Sequence, residues 1–174
     1  MLAPPRGMSS QTIALNEPAE LALPSHTPPE TLLVALDVNT SPERRAAVED
    51  AAREIAREHD ARLIAFHVVQ PPSPVPALGG LMMAPRATDD ILRTQTKMAK
   101  HTLAEEMPNA EVYAPVGRPA KRIVRFAKCL RNPWIVIGSD DRGVLSRLIF
   151  GSVTDSVVRS APCPVHVVPL PESS

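Results

Sequence analysis

Apolar residues fall into short runs, and longer stretches between them repeat apolar positions every three or four residues. Thr31-Leu32-Leu33-Val34-Ala35-Leu36 is the first run. Its length and lack of polar interruption predict a strand buried on both faces. Further strands are predicted at Ala61–Val69, Glu111–Val116, Trp134–Ile137 (closed by Gly138) and Pro164–Val168. Helical spacing appears between them. Val48, Ala51, Ala52 and Ile55 form one stripe, ending near His59, with Ser41 as cap and Pro42 at the first helical position, where a missing N–H costs nothing. Thr88 is expected to cap a second helix, with Asp89 and Asp90 in its first turn and a buried stripe of Ile91, Leu92, Met98, Ala99 and Leu103. Gly117-Arg118-Pro119 starts a third, carrying Ala120, Ile123, Val124, Ala127 and Leu130 inward. Gly151-Ser152 opens a fourth, with Val153, Val157 and Val158.

Strand and helix therefore alternate through five strands. Crossovers between parallel strands are right-handed, so the alternation implies an α/β fold: one open, doubly wound parallel sheet with helices on both faces. The domain is expected over residues 31–170. Residues 1–30, rich in Pro and Ser and without period, read as a mobile tail, or alternatively as a docking segment using Ile13, Leu15, Leu21 and Leu23. Residues 70–87 read as a flexible loop rich in Pro, Gly and Met, either a disordered linker with no contact role or a segment able to act as a lid or to meet partners, and 171–174 as a short tail.

Composition narrows the functional classes. Aromatics are 3% of the 174 residues against 44% apolar overall, so the core must be aliphatic. Lys+Arg and Asp+Glu are 19 each, and nothing argues for a broad nucleic-acid surface or attraction to an anionic membrane. Lys121, Arg122, Arg125, Lys128 and Arg131 crowd one segment, read as the solvated face of a helix. Cys129 and Cys163 lie far apart and form no CxxC, which fits a reducing cytoplasm. No run approaches the roughly 20 apolar residues of a membrane helix. Asn16, Glu17, Pro18 and Glu20 break up the Ile13–Leu23 region, so an uninterrupted apolar stretch of signal-peptide type is not expected there.

In such sheets ligands bind beyond the carboxyl ends of the strands. That rule singles out Asp37 after the first strand, Val68-Val69-Gln70 after the second, and Gly138-Ser139-Asp140-Asp141-Arg142-Gly143 after the fourth. Gly151-Ser152 then opens a helix whose unpaired amides suit a phosphate. The plainer alternative is that the glycines make tight turns and Ser152 caps its own helix. Asp37 could likewise cap a turn instead of meeting a ligand. His67 and His166 each stand alone in an apolar strand and read as satisfied core histidines, His166 with a subunit contact as the alternative. There is no Ser/His/Asp set, no Gly-x-Ser-x-Gly elbow, no GxxxxGK[ST] loop and no evident carboxylate pair, so no catalytic residue is assigned.

Ile135-Val136-Ile137-Gly138-Ser139, Leu148-Ile149-Phe150-Gly151-Ser152-Val153-Thr154 and Ser160-Ala161-Pro162-Cys163-Pro164-Val165 together resemble the C-terminal signature of universal stress proteins. Leu33–Asp37, Phe66–Val69 and Val116–Ala120 resemble three further segments of that family, in order. The resemblance implies the adenine nucleotide alpha hydrolase-like fold, with strand order 3-2-1-4-5. It also implies a nucleotide site for ATP or a related adenine nucleotide, with Mg²⁺ as a companion ion. Asp37 would contact the ribose or base, and Ala35, Leu36 and Val68 would line the adenine pocket. Gly138, Gly151, Ser152 and Val153 would approach the phosphates. Nucleotide-binding members carry Gly-x2-Gly-x9-Gly-[Ser/Thr], and here the second element is Asp141. A carboxylate about 5 Å from a phosphate would repel it by roughly 3 kcal/mol at an effective dielectric near 20. A helix terminus returns at most about 2 kcal/mol. Screening, Mg²⁺, Arg142 or Arg147, or an Asp141 side chain turned away, could offset the difference. The family resemblance further implies a homodimer joined through the last strand at Val165, His166 and Val167.

Two functions follow. One is a cytoplasmic stress protein that holds an adenine nucleotide and hydrolyses it slowly at best. The other is a dimeric interaction module that acts on protein partners without a nucleotide. A receiver domain is disfavoured, since Pro115-Val116-Gly117 and Val168-Pro169 occupy the places of its Asp and Lys. A flavin or redox role has no motif behind it.

Overall fold

The computed structural model describes residues 27–71, 85–139 and 152–171, with no side-chain detail at 85–87 and 152. Among them the order is β1 (Thr31–Ala35), α1 (Pro42–His59), β2 (Arg62–Phe66), α2 (Pro85–Glu106), β3 (Glu111–Tyr113), α3 (Pro119–Ala127), β4 (Pro133–Gly138), α4 (Ser152–Ser160) and β5 (Val165–Val168). The sheet runs β3-β2-β1-β4-β5, and every pairing is parallel. The expected architecture is therefore the observed one.

β1 is buried at every position because it lies centrally, with Leu33 opposite Ile64 on one side and Ile135 on the other. Alternate β1 residues feed two cores. Leu32, Val34 and Leu36 pack with Val48, Ala52 and Ala56 of α1 and with Leu103 and Met107 at the end of α2. Leu33 and Ala35 pack with Ile64, Phe66, Ile123, Ala127 and Val157 on the α3–α4 face. The alanines of α1 bring that helix close to the sheet, as their spacing suggested. Asp60 ends α1 in the left-handed conformation (φ 51°), a geometry Asp tolerates better than most residues.

Several expectations are corrected. α2 starts at Pro85, so Thr88 is an interior helical residue, not its cap, and Asp89 and Asp90 lie beyond the first turn. Pro85 serves at the first position, as Pro42 does in α1. Ile91 and Met98 are 38% and 65% exposed. Leu92, Ala99 and Leu103 define the buried line, and residues 91 and 98 each sit about 100° round the helix from it. Val158 is exposed for the same reason, one position from fully buried Val157. β2 and β3 stop at Phe66 and Tyr113, after which the His67 N–Tyr113 O bond and the Val69–Val116 bridge continue their pairing. His166 is exposed on edge strand β5, not buried in a core. The cationic residues of α3 and the turn after it are exposed, in keeping with a solvated face; Arg131 pairs with Glu30 at 3.4 Å.

Candidate functional site

A cavity of about 340 Å³ opens at the carboxyl ends of β1, β2 and β4. Its size lies in the range of small-molecule sites. The fold positions it as the strand-end rule requires, because β1 and β4 are neighbours whose following helices α1 and α4 cover opposite faces. Ala35, Leu36, Asp37, Val68, Gly138 and Val153, all selected from the sequence, line it. Asp141, Arg142 and Gly151 lie outside the described residues, and Ser152 is described only as the first residue of α4.

β4 and α4 are joined at this point. Thr154 Oγ1, on a 3% exposed side chain, donates to the Gly138 carbonyl at 2.7 Å. The bond holds the start of α4 against the end of β4, so Gly138, Val153 and Thr154 share one wall. The Ser139 amide is not available to a ligand, because it donates to Val168 O at 2.8 Å and extends the β4–β5 ladder. The Leu170 side chain covers Gly138: a Cβ built on the glycine would lie 2.8 Å from Leu170 Cδ1.

The opposite lip is the turn between β1 and α1. Asp37 Oδ1 accepts from the Asn39 amide at 3.0 Å and from Asn39 Nδ2 at 3.1 Å, and Thr40 N donates to Asp37 O at 3.2 Å. Asp37 therefore caps its own turn through one oxygen while it lines the cavity. The two readings of this residue are compatible.

His67 is buried, with Nδ1 3.0 Å from Leu36 O and 3.4 Å from the Val38 amide nitrogen. The shorter contact fits an Nδ1–H that donates to the carbonyl. The ring thus ties the end of β2 to the end of β1, as expected of a satisfied histidine, and it also borders the cavity. Among the described residues no group of three or more His, Cys, Asp or Glu side chains could hold a metal ion.

Sequence reasoning passed over Arg44, Arg45, Val48, Thr154 and Leu170, all of which line the cavity. Thr154 stood inside a recognisable segment, but nothing marked its hydroxyl as a link to β4. Arg45 is 11% exposed and forms a two-pronged bond to Glu106 of α2, with Nη2–Oε1 at 2.7 Å. That bond raises the Arg45 pKa further above its ordinary value. Beside it, Glu49 is buried; Oε2 pairs with Arg53 at 2.9 Å, and Oε1 has no partner. Burial, reinforced by nearby Glu106 and opposed by Arg53, pushes the Glu49 carboxyl above the usual range.

The profile of the universal stress protein family matches residues 29–169. A universal stress protein of Thermus aquaticus, encoded in the 3′ region of a QAH/OAS sulfhydrylase gene, is 32% identical over 144 residues, covering 80% of this chain and 98% of that one. YxiE of Bacillus subtilis, also a universal stress protein, is 31% identical over 146 residues, covering 79% and 97%. Among solved structures, UspA from Lactobacillus plantarum superposes with a TM-score of 0.62 at 26% identity, covering 80% of this chain and 98% of that one. A universal stress protein solved in complex with cAMP shares the fold at 21% identity and a TM-score of 0.50, covering 83% and 100%.

Proposed function

This chain belongs to the universal stress protein family, and from that premise we propose that its strand-end cavity binds ATP or a related adenine nucleotide. The observation that carries this reading is the gathering of Ala35, Leu36, Asp37, Val68, Gly138 and Val153 around one cavity at the start of α4. In the proposed complex the base lies against Ala35, Leu36 and Val68. Asp37 Oδ2 accepts a ribose hydroxyl, since Oδ1 is engaged by Asn39. The phosphates face the N-terminus of α4, where Ser152 and Val153 offer donors that the helix leaves unpaired. A Mg²⁺ ion, where present, is held by the phosphates. That a relative of the same fold has been solved with cAMP supports an adenine nucleotide as the class of ligand.

The proposed role is binding in a cytoplasmic stress response, with hydrolysis slow at best. The functional unit is a homodimer joined through β5, an edge strand that presents Val165, His166 and Val167 to a second copy. A second reading, a nucleotide-free dimer that acts on protein partners, draws on two features. Leu170 crowds Gly138, and Asp141 replaces the second glycine of the nucleotide motif.

Calorimetric titration with ATP, with and without Mg²⁺, separates the two. The nucleotide reading expects saturable one-to-one binding per chain and tighter binding by Asp141→Gly. Absence of binding by both proteins favours the interaction module.

A further inference from the structure

Arg45 is engaged at all three guanidinium nitrogens. Nε lies 3.1 Å from both carboxylate oxygens of Glu106, and Nη2 lies 2.7 Å from Oε1. Nη1 donates to the carbonyl of Val38 at 3.2 Å and to that of Thr40. Those two carbonyls flank Asn39, so one side chain grips the cavity lip on both sides of its tip. The other bonds at this turn include the short-range Asn39 N to Asp37 Oδ1 and Thr40 N to Asp37 O, and Val38 N also lies 3.4 Å from His67 Nδ1, a longer contact than those made by Arg45. Asp37, Asn39, Thr40 and Arg45 itself all line the cavity.

The anchor of the grip is remote. Glu106 is the last residue of α2, separated from Arg45 by 61 positions along the chain. Its backbone carbonyl is bonded in turn by Arg53 Nη2 of α1. A planar guanidinium can satisfy a carboxylate with one edge and carbonyls with another, whereas an ammonium is a point charge with three donors. The geometry therefore calls for Arg and not merely for a cation.

We propose that Arg45, held by Glu106, is a positioning residue of the cavity: it fixes the Asp37–Thr40 lip in the ligand-receiving shape and couples that shape to the end of α2. The identity of the ligand rests on the nucleotide reading above; the ordering of the lip does not.

The test compares the full chain with its Arg45→Lys, Arg45→Met and Glu106→Gln variants in two measurements. The first is amide hydrogen exchange without ligand. The Asn39 and Thr40 amides are expected to exchange at least tenfold faster in Arg45→Lys and Arg45→Met, while those of Leu33 and Val136 keep their protection. Glu106→Gln, which retains a neutral acceptor, is expected to fall between. The second is the Kd for ATP, expected to weaken tenfold or more in both Arg45 variants. Unchanged exchange at Asn39 and Thr40 would overturn the proposal, as would a uniform rise that includes Leu33 and Val136, which marks a purely structural role. Should Arg45→Met fail to fold, Arg45→Lys decides. Should the wild-type chain bind no ATP, the nucleotide reading fails, and the exchange pattern alone decides whether Arg45 orders the lip.

Discussion

The α3–α4 face of the sheet gathers Phe66, Phe126 and Tyr113 around an apolar core, whereas the α1–α2 face, against which Trp134 packs, adds an ionic network to its core. Phe66 and Tyr113 each meet the ring of Phe126 in a tilted arrangement, at 4.8 Å between centroids. Three of the few aromatic residues of the chain thus serve one face. On the other face Arg45, Glu49, Arg53 and Glu106 link α1 to α2 beside the cavity lip. Apolar packing depends on filled volume and is insensitive to pH. A buried ionic network depends on geometry and protonation, because each unpaired buried charge is costly. The first face should therefore govern stability, and the second the shape of the site and its response to pH.

The largest expected effect is on the apolar face. Phe66→Ala, at a 1% exposed position, should lower unfolding stability by about 3–5 kcal/mol. Denaturant titration measures this, and a loss below 1 kcal/mol would break the comparison.

Next comes Glu49. Its folded-state pKa is raised, so the favourable contribution of the protonated form is present below the ordinary carboxylate pKa. It is lost as pH rises through the raised value. Each unit of elevation corresponds to about 1.4 kcal/mol. Glu49→Gln keeps an acceptor for Arg53 and removes the titration. Wild-type stability should fall relative to the variant as pH rises from 4 to 8, whereas parallel pH profiles would remove Glu49 from the account.

Leu170 packs against the α1–α2 core and covers Gly138. Leu170→Ala should enlarge the cavity and tighten ATP binding several-fold in a calorimetric titration. Weaker binding would mean that the side chain contacts the ligand instead of crowding it.

The smallest effect concerns the thiols. Burial pushes the Cys163 thiol up, and Cys129 is exposed. Maleimide labelling near neutral pH should modify Cys129 first; the reverse order would contradict the packing of Cys163 against the α3–α4 core.

The fold was legible because its signals are local and repeated. The apolar run Leu32–Ala35 of β1 announces a central parallel strand, and Pro42 with Ala51 and Ala52 announces a helix lying close on a sheet. Less legible were helix faces where neighbouring residues are equally apolar. Leu92 and Ile91 cannot be ranked without knowing which side the sheet is on. At the site, residues just past strand ends could be selected by rule, which singled out Asp37, Val68 and Gly138, and the family resemblance added Ala35 and Leu36; all five line the cavity. Arg45 could not be selected, because its partner Glu106 is distant in sequence and both look like surface charges on amphipathic helices. The use of the Ser139 amide by β5 depends on strand register, which no single segment encodes.

The most direct test of the central claim is hydrogen exchange across the whole chain with and without saturating ATP. The account predicts protection confined to residues 36–40, 68–70, 138 and 152–154, the amides around the strand-end cavity. Protection elsewhere, or none at nucleotide concentrations in the millimolar range, would contradict it.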